Sequence, residues 1–161
     1  MKYIITSKQY ELLNEEEQEI IYIPSVDLFG GWDNLQEFLK RRGNPPYSID
    51  GDLYLRGVPV ESLGNLTSVG GSLDLKHTQI ESLGNLISVG GNLYLRDVPI
   101  ESLGNLISVG GHLDLRNTPI KSLGILTSVG GSLILRDTPI AKKYTEKQIR
   151  NMVDVRGEIF L

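Results

Sequence analysis

ESLGNLTSVGG at 61–71 returns as ESLGNLISVGG at 81–91 and 101–111, and as KSLGILTSVGG at 121–131. A block that recurs every twenty residues marks a solenoid, in which each copy is one rung stacked on the last. Repetition also limits the chemistry. A nucleophile or general base is needed once, at one special place, whereas a residue present in every rung belongs to the scaffold or to an extended surface.

Aligned on Gly-x-Leu-x-Leu, the rungs carry Leu53/Leu55, Leu73/Leu75, Leu93/Leu95, Leu113/Leu115 and Leu133/Leu135. Alternation with period two predicts a short strand with both leucines on one side. Val60, Ile80, Ile100, Ile120 and Ile140 follow, then the Leu63, Leu66 and Val69 columns, all expected to face one interior. The segment carrying Leu66 and Val69 is expected to be coil. The Gly-Gly pairs before each strand and Gly64, Gly84, Gly104 and Gly124 mark corners. Asn65, Asn85 and Asn105 are placed to form an amide ladder between rungs, which Ile125 interrupts.

This spacing resembles the leucine-rich repeat family, whose signature runs Leu-x-x-Leu-x-Leu-x-x-Asn-x-Leu. Leu73, Leu75, Thr78 and Ile80 occupy the last four positions, and the resemblance covers about residues 50–140. Two columns depart from it. Gly70, Gly90, Gly110 and Gly130 replace the first leucine, and Val58, Thr78, Val98, Thr118 and Thr138 replace the asparagine. The departures predict a flatter β-solenoid than a regular horseshoe. The repeat is also similar to that of small repeat proteins of phage and bacterial genomes, which implies an inhibitor or adaptor acting on a host protein.

The ends are not regular. RGEIFL at 156–161 matches GGSLIL at 130–135 after a longer interval, with TEKQIRNMV between them. Thr145 and Gln148 fit a capping box, so a short helix and a sixth strand are predicted. Upstream, Lys2–Thr6 and Ile20–Ile23 read as strands, and 7–17 and 33–43 as helices. Trp32 is expected to cap the first rung. The predicted fold is a parallel β-solenoid of α+β class. An N-terminal α/β cap occupies 1–49, the repeat solenoid 50–140, and a C-terminal capping helix and final strand 141–161.

The 161 residues carry 16 basic and 20 acidic groups, net −4, with 40% hydrophobic content and no cysteine. Disulfides and thiolate metal sites are therefore excluded. No basic block suits nucleic acid, and no apolar run approaches the roughly 20 residues of a membrane span. The N-terminus lacks the pattern of a signal peptide. A cytoplasmic protein with no membrane or nucleic-acid partner is expected.

Outward strand positions are the candidates for function. Arg56, Lys76, Arg96, Arg116 and Arg136 form a column of cations, opposed by Asp52, Asp74, Asp97, Asp114 and Asp137. Five against five cancels, where nucleic acid would require a positive excess. Beside them runs Tyr54, Asp74, Tyr94, Asp114 and Ile134, and His112 lies in a third column. Aromatic and arginine side chains on a solvated face point to binding of a partner protein. The Ser62 and Ser68 columns are read as corner residues bonding local backbone. His77 and His112 share no face with carboxylates at ligand spacing, and the glycine turns lack the Lys-Ser/Thr of a phosphate loop. No catalytic residue, metal or cofactor is predicted.

The resulting expectation is a non-enzymatic protein-interaction scaffold. Ile159, Phe160 and Leu161 end the chain as an exposed edge strand, which predicts a homodimer through that edge and, as an alternative function, a self-assembling structural module. An enzyme is the remaining alternative, with a site among unique N-terminal groups such as Glu11, Glu15 and Asp27.

Overall fold

The computed structural model describes residues 19–161. The strand expected at 2–6, the helix expected at 7–17 and the carboxylates Glu11 and Glu15 lie outside the described residues. The chain runs β1 (Ile21–Ile23), a 3-10 turn (Val26–Phe29), α1 (Trp32–Lys40), β2 (Tyr47–Ile49) and β3 (Leu53–Tyr54). The repeats follow as β4 (Leu66–Val69), β5 (Leu73–Asp74), β6 (Ser88–Val89), β7 (Leu93–Tyr94), β8 (Ser108–Val109), β9 (Leu113–Asp114), β10 (Ser128–Val129) and β11 (Leu133–Ile134). The chain closes with α2 (Pro139–Lys143), α3 (Glu146–Met152), β12 (Asp154–Val155) and β13 (Ile159–Phe160).

Every rung places its residues directly over those of the last. Leu73 pairs with Leu93, Leu113 with Leu133, and Leu133 with Ile159, all in parallel. The predicted leucine strands form a six-stranded sheet, β3-β5-β7-β9-β11-β13. A second sheet of seven strands, β1-β2-β4-β6-β8-β10-β12, takes up the segment expected to be coil. Its strands are mostly two residues long, too short to show alternation. The ladder comes from stacking: Gly90 N donates to Val69 O (2.8 Å) and Gly110 N to Val89 O (2.8 Å). The fold is thus a parallel β-solenoid with two strands per rung. Leucine, isoleucine and valine from both sheets bury one continuous core.

The corners are held by side chains. Ser62, Ser82, Ser102 and Ser122 each accept from the backbone N–H two residues on, at 3.0–3.1 Å. Asn85 Nδ2 donates to Asn65 Oδ1 (3.0 Å), one step of the expected amide ladder, and Asn65 Nδ2 donates to the backbone at Asn44 O (2.6 Å). Asn105 departs from it by donating to Gly84 O (3.3 Å). Thr78, Thr118 and Thr138 are buried, and each hydroxyl donates to the carbonyl three residues back at 2.6–2.7 Å. Ser68, Ser88, Ser108 and Ser128 are not corner residues. They form a column along the seven-stranded sheet and line a shallow groove of about 500 Å³.

Each end replaces regular rung with helix. Ile23 pairs with Ile49 and Val129 with Val155, in both cases 26 residues apart. At the N-terminal end α1 buries Leu35 and Leu39. It stops earlier than expected because Gly43 and Asn44 adopt left-handed backbone, and Asn44 N returns to Leu39 O (2.9 Å). Tyr47 locks this helix to the first rung. Its buried hydroxyl donates to Leu63 O (2.7 Å) and accepts from Gln36 Nε2 (3.1 Å), and burial pushes its pKa up.

At the C-terminal end the predicted capping box of Thr145 and Gln148 is formed. The preceding helix α2 was not expected. Thr138 continues the repeat and at the same time caps Ala141 N (3.2 Å), and Pro139 suits the first helical position. Arg150 of α3 then completes the last rung. Val129 O and Gly131 O accept from Arg156 N and Gly157 N of the following rung. Val155 O and Gly157 O, the equivalent carbonyls one rung on, both accept from the Arg150 guanidinium, at 2.8 and 3.0 Å.

Candidate interaction face and end cavity

The outer face of the six-stranded sheet gathers most of the predicted site residues, but it sorts them into two kinds. Asp74 and Asp114 are expected to be solvated, yet they are only 9% and 2% exposed. Each lies under the cation two residues on in its own rung. Lys76 Nζ sits 3.1 Å from Asp74 Oδ2. Arg116 is bidentate on Asp114, with Nε 2.9 Å from Oδ1 and Nη2 bonded to Oδ2. Both aspartates are structural, each closed over by its own cation.

What remains accessible is Arg56, Arg96 and Arg136, all exposed, with Tyr54 at one end. They lie two rungs apart, which puts one exposed guanidinium about every 10 Å. Arg96 Nε also meets Asp97 Oδ2 at 3.2 Å. Tyr94, Ile134 and Phe160 are half-buried between the rungs. Lys76 Nζ lies 4.7 Å from the centre of the Tyr94 ring and the Arg136 guanidinium 5.2 Å from that of Phe160. A cation of one rung therefore covers the aromatic ring of the next.

His112 is not on this face. It belongs to the column Asp52, Ser72, Asn92, His112 and Ser132, which sequence reading missed as a unit. Each side chain accepts the backbone N–H of the residue one rung on: Ser72 N to Asp52 Oδ1 (2.6 Å), Asn92 N to Ser72 Oγ (3.1 Å), His112 N to Asn92 Oδ1 (2.8 Å) and Ser132 N to His112 Nδ1 (2.9 Å). Only an acceptor is required, so four residue types serve and no motif is visible. Accepting from Ser72 N and from the Tyr54 hydroxyl holds the Asp52 carboxyl below its usual range.

Asp114 supplies a pH test. Burial alone would raise its carboxyl, but the Arg116 side chain and backbone N–H outweigh it and hold the pKa below the ordinary value. A depressed folded-state pKa adds stability that is complete above the unfolded value near 4, and that is lost as pH falls through the folded value. Arg116→Met should therefore destabilise the protein by about 2 kcal/mol at pH 7. The gap between wild type and variant should close as urea melts are moved from pH 5 toward pH 2. A gap independent of pH would show that Arg116 acts through packing alone.

Sequence reading also missed a cavity of about 640 Å³ at the N-terminal end of this face. It is lined by Asp27, Trp32, Asp33, Asp52 and Tyr54 among others, and by no lysine or arginine. Trp32 is half-buried against the core beside the first rung, as a cap would be, and one side of it borders this space. Three of these residues come from the non-repeating cap and two from the first rung, so no periodic signal could bring them together.

Among the described residues no group of three His, Asp or Glu side chains could hold a metal ion. No helix there is long and apolar enough to cross a membrane. Comparison with family models, with curated proteins and with solved structures finds no match to this chain.

Proposed function

We propose that the chain is a non-enzymatic protein-interaction scaffold, with a rung of leucine-rich-repeat-like type, that binds an acidic extended segment of a partner protein along the six-stranded face. The observation that carries this reading is the sorting of the cations. Lys76 and Arg116 are consumed by buried aspartates, and Arg56, Arg96 and Arg136 are left outward in register. Carboxylates at every third residue of a polyproline II segment stand on one face and repeat at about 9 Å, close to the same interval. Arginine suits such partners because its planar donors engage a carboxylate in bidentate fashion.

The test is calorimetric titration with a synthetic peptide bearing glutamate at every third position. Arg56→Glu, Arg96→Glu and Arg136→Glu combined should weaken binding at least about tenfold, and added salt should weaken the wild-type interaction. Arg116 is left intact because reversing it would strand Asp114. Binding unchanged in the triple variant would remove the face from the reading.

A specific observation also favours self-assembly as a second reading. Leu133 N and Leu135 N donate to Glu158 O and Phe160 O, so the equivalent Ile159 and Leu161 N–H groups point off the last rung. Among the described residues nothing accepts them, and Leu161 is exposed. Light scattering should then show a dimer that Ile159→Pro with Phe160→Asp converts to monomer. A wild-type monomer at high concentration would exclude it.

A further inference from the structure

The two sheets do not end together at the N-terminal end. The seven-stranded sheet gains β1 before the first regular rung, whereas the six-stranded sheet stops at β3. The rung that begins with β1 has no second strand. In its place the chain turns through the 3-10 helix into α1, and the 640 Å³ cavity lies between these elements and β3.

The backbone of β3 shows what is missing. Leu53 N and Leu55 N donate to Ser72 O and Asp74 O of the next rung, each at 2.8 Å. Peptide groups alternate sides along a strand, so the Tyr54 N–H and the carbonyls of Asp52 and Tyr54 face the cavity side. In every later rung the equivalent carbonyls are used: Asn92 O and Tyr94 O accept from Leu73 N and Leu75 N, and His112 O and Asp114 O from Leu93 N and Leu95 N. Among the described residues nothing donates to Asp52 O or Tyr54 O.

The side chains repeat the message. Tyr94 is covered by Lys76 and Phe160 by Arg136, in each case from the preceding rung. Tyr54 is the aromatic residue of that column with no preceding strand beside it among the described residues, and it is 65% exposed. Asp27, Asp33 and Asp52 line the space where a covering cation would enter.

We propose that β3 accepts a parallel strand contributed by a partner protein, with the pattern apolar–x–apolar–(Lys or Arg). The ligand's N–H groups bond the carbonyls of Asp52 and Tyr54, as in strand addition generally. Its two apolar side chains follow the line of Leu53 and Leu55 toward Val26, Trp32 and Val58. The cation two residues beyond the position opposite Tyr54 lies over the Tyr54 ring, as Lys76 lies over Tyr94, and the three aspartates supply the charge complement. This rests on the reading of the chain as a binding module, but it uses the open strand edge and not the arginine face.

Trp32 is the only tryptophan in the chain and borders the cavity, so its fluorescence reports occupancy directly. The probe is acetyl-Ser-Leu-Thr-Leu-Arg-Gly-amide, titrated into the full-length protein. A saturable change is expected. Replacing the probe's arginine by glutamate should weaken binding at least about tenfold, and N-methylating both leucines should do the same by removing the backbone donors. Tyr54→Ala should weaken the arginine probe severalfold and leave the glutamate probe unaffected. No saturable change would overturn the proposal. So would equal binding of the N-methylated probe, or binding of N-acetylarginine amide as tight as that of the peptide, which would make the cavity a cation pocket and not a strand slot. Arg96→Glu with Arg136→Glu separates the two readings. That variant should lose the acidic peptide of the face test and keep this probe.

Discussion

Gly110→Ala should destabilise this protein by more than about 3 kcal/mol. A β-carbon at Gly110 would stand 2.0 Å from Gly90 O and 2.9 Å from Gly90 C. The obstacle is backbone that is itself fixed by Gly110 N donating to Val89 O, so no side chain can swing aside. Relief requires prising two rungs apart and breaking ladder bonds on both sides of the break. Because rungs contact only their neighbours, a break in the middle uncouples the two halves of the solenoid. Urea melts should show a large drop in midpoint and a broadened or two-step transition. Gly104→Ala is the control. Gly104 has a left-handed φ of 56° with nothing within 4 Å of a new β-carbon. It should cost only the conformational penalty, about 1–2 kcal/mol. Equal losses at the two positions would mean that rung spacing is not set by the glycine column.

Leu95→Ala should cost about 2–5 kcal/mol, the usual range for a cavity left in a close-packed core. Leu95 is fully buried, and its neighbours above and below, Leu75 and Leu115, are held one rung away by the ladder and cannot collapse into the space. Tyr94→Ala, one residue earlier, removes a larger side chain but a half-buried one on the outer face. Its loss frees Lys76 from the ring and leaves the Lys76–Asp74 pair in place. The tyrosine variant should therefore cost clearly less. Similar midpoints for the two would contradict the inward and outward phase of the strand.

That phase was legible in the residues alone. Leu53/Leu55 and their repeats alternate in a run bounded by glycine corners, and an identical rung can bury its leucines only by stacking on its copies. Parallel register, the core columns, the Ser62 corners and the sixth strand at Ile159 follow from that repetition. The capping box follows from Thr145 and Gln148, because a cap is a local hydrogen-bonding pattern that four consecutive residues can specify.

Tertiary structure decided the rest, wherever an interaction joins residues one rung apart. The strand at Ser88–Val89 exists because Gly90 N meets Val69 O, a bond across twenty residues that leaves no alternation in a two-residue segment. Asp74 and Asp114 lie outward by phase yet are buried, because the depth of a side chain depends on the cation and the aromatic residues that close over it. His112 looked like a surface candidate and is a rung-to-rung acceptor, a role that serine, asparagine or aspartate fills equally well. Among the described residues Val155 O and Gly157 O meet Arg150, and Asp52 O and Tyr54 O meet no donor, for one reason. A sequence states the contents of each rung, but only the stack shows which rungs have no neighbour.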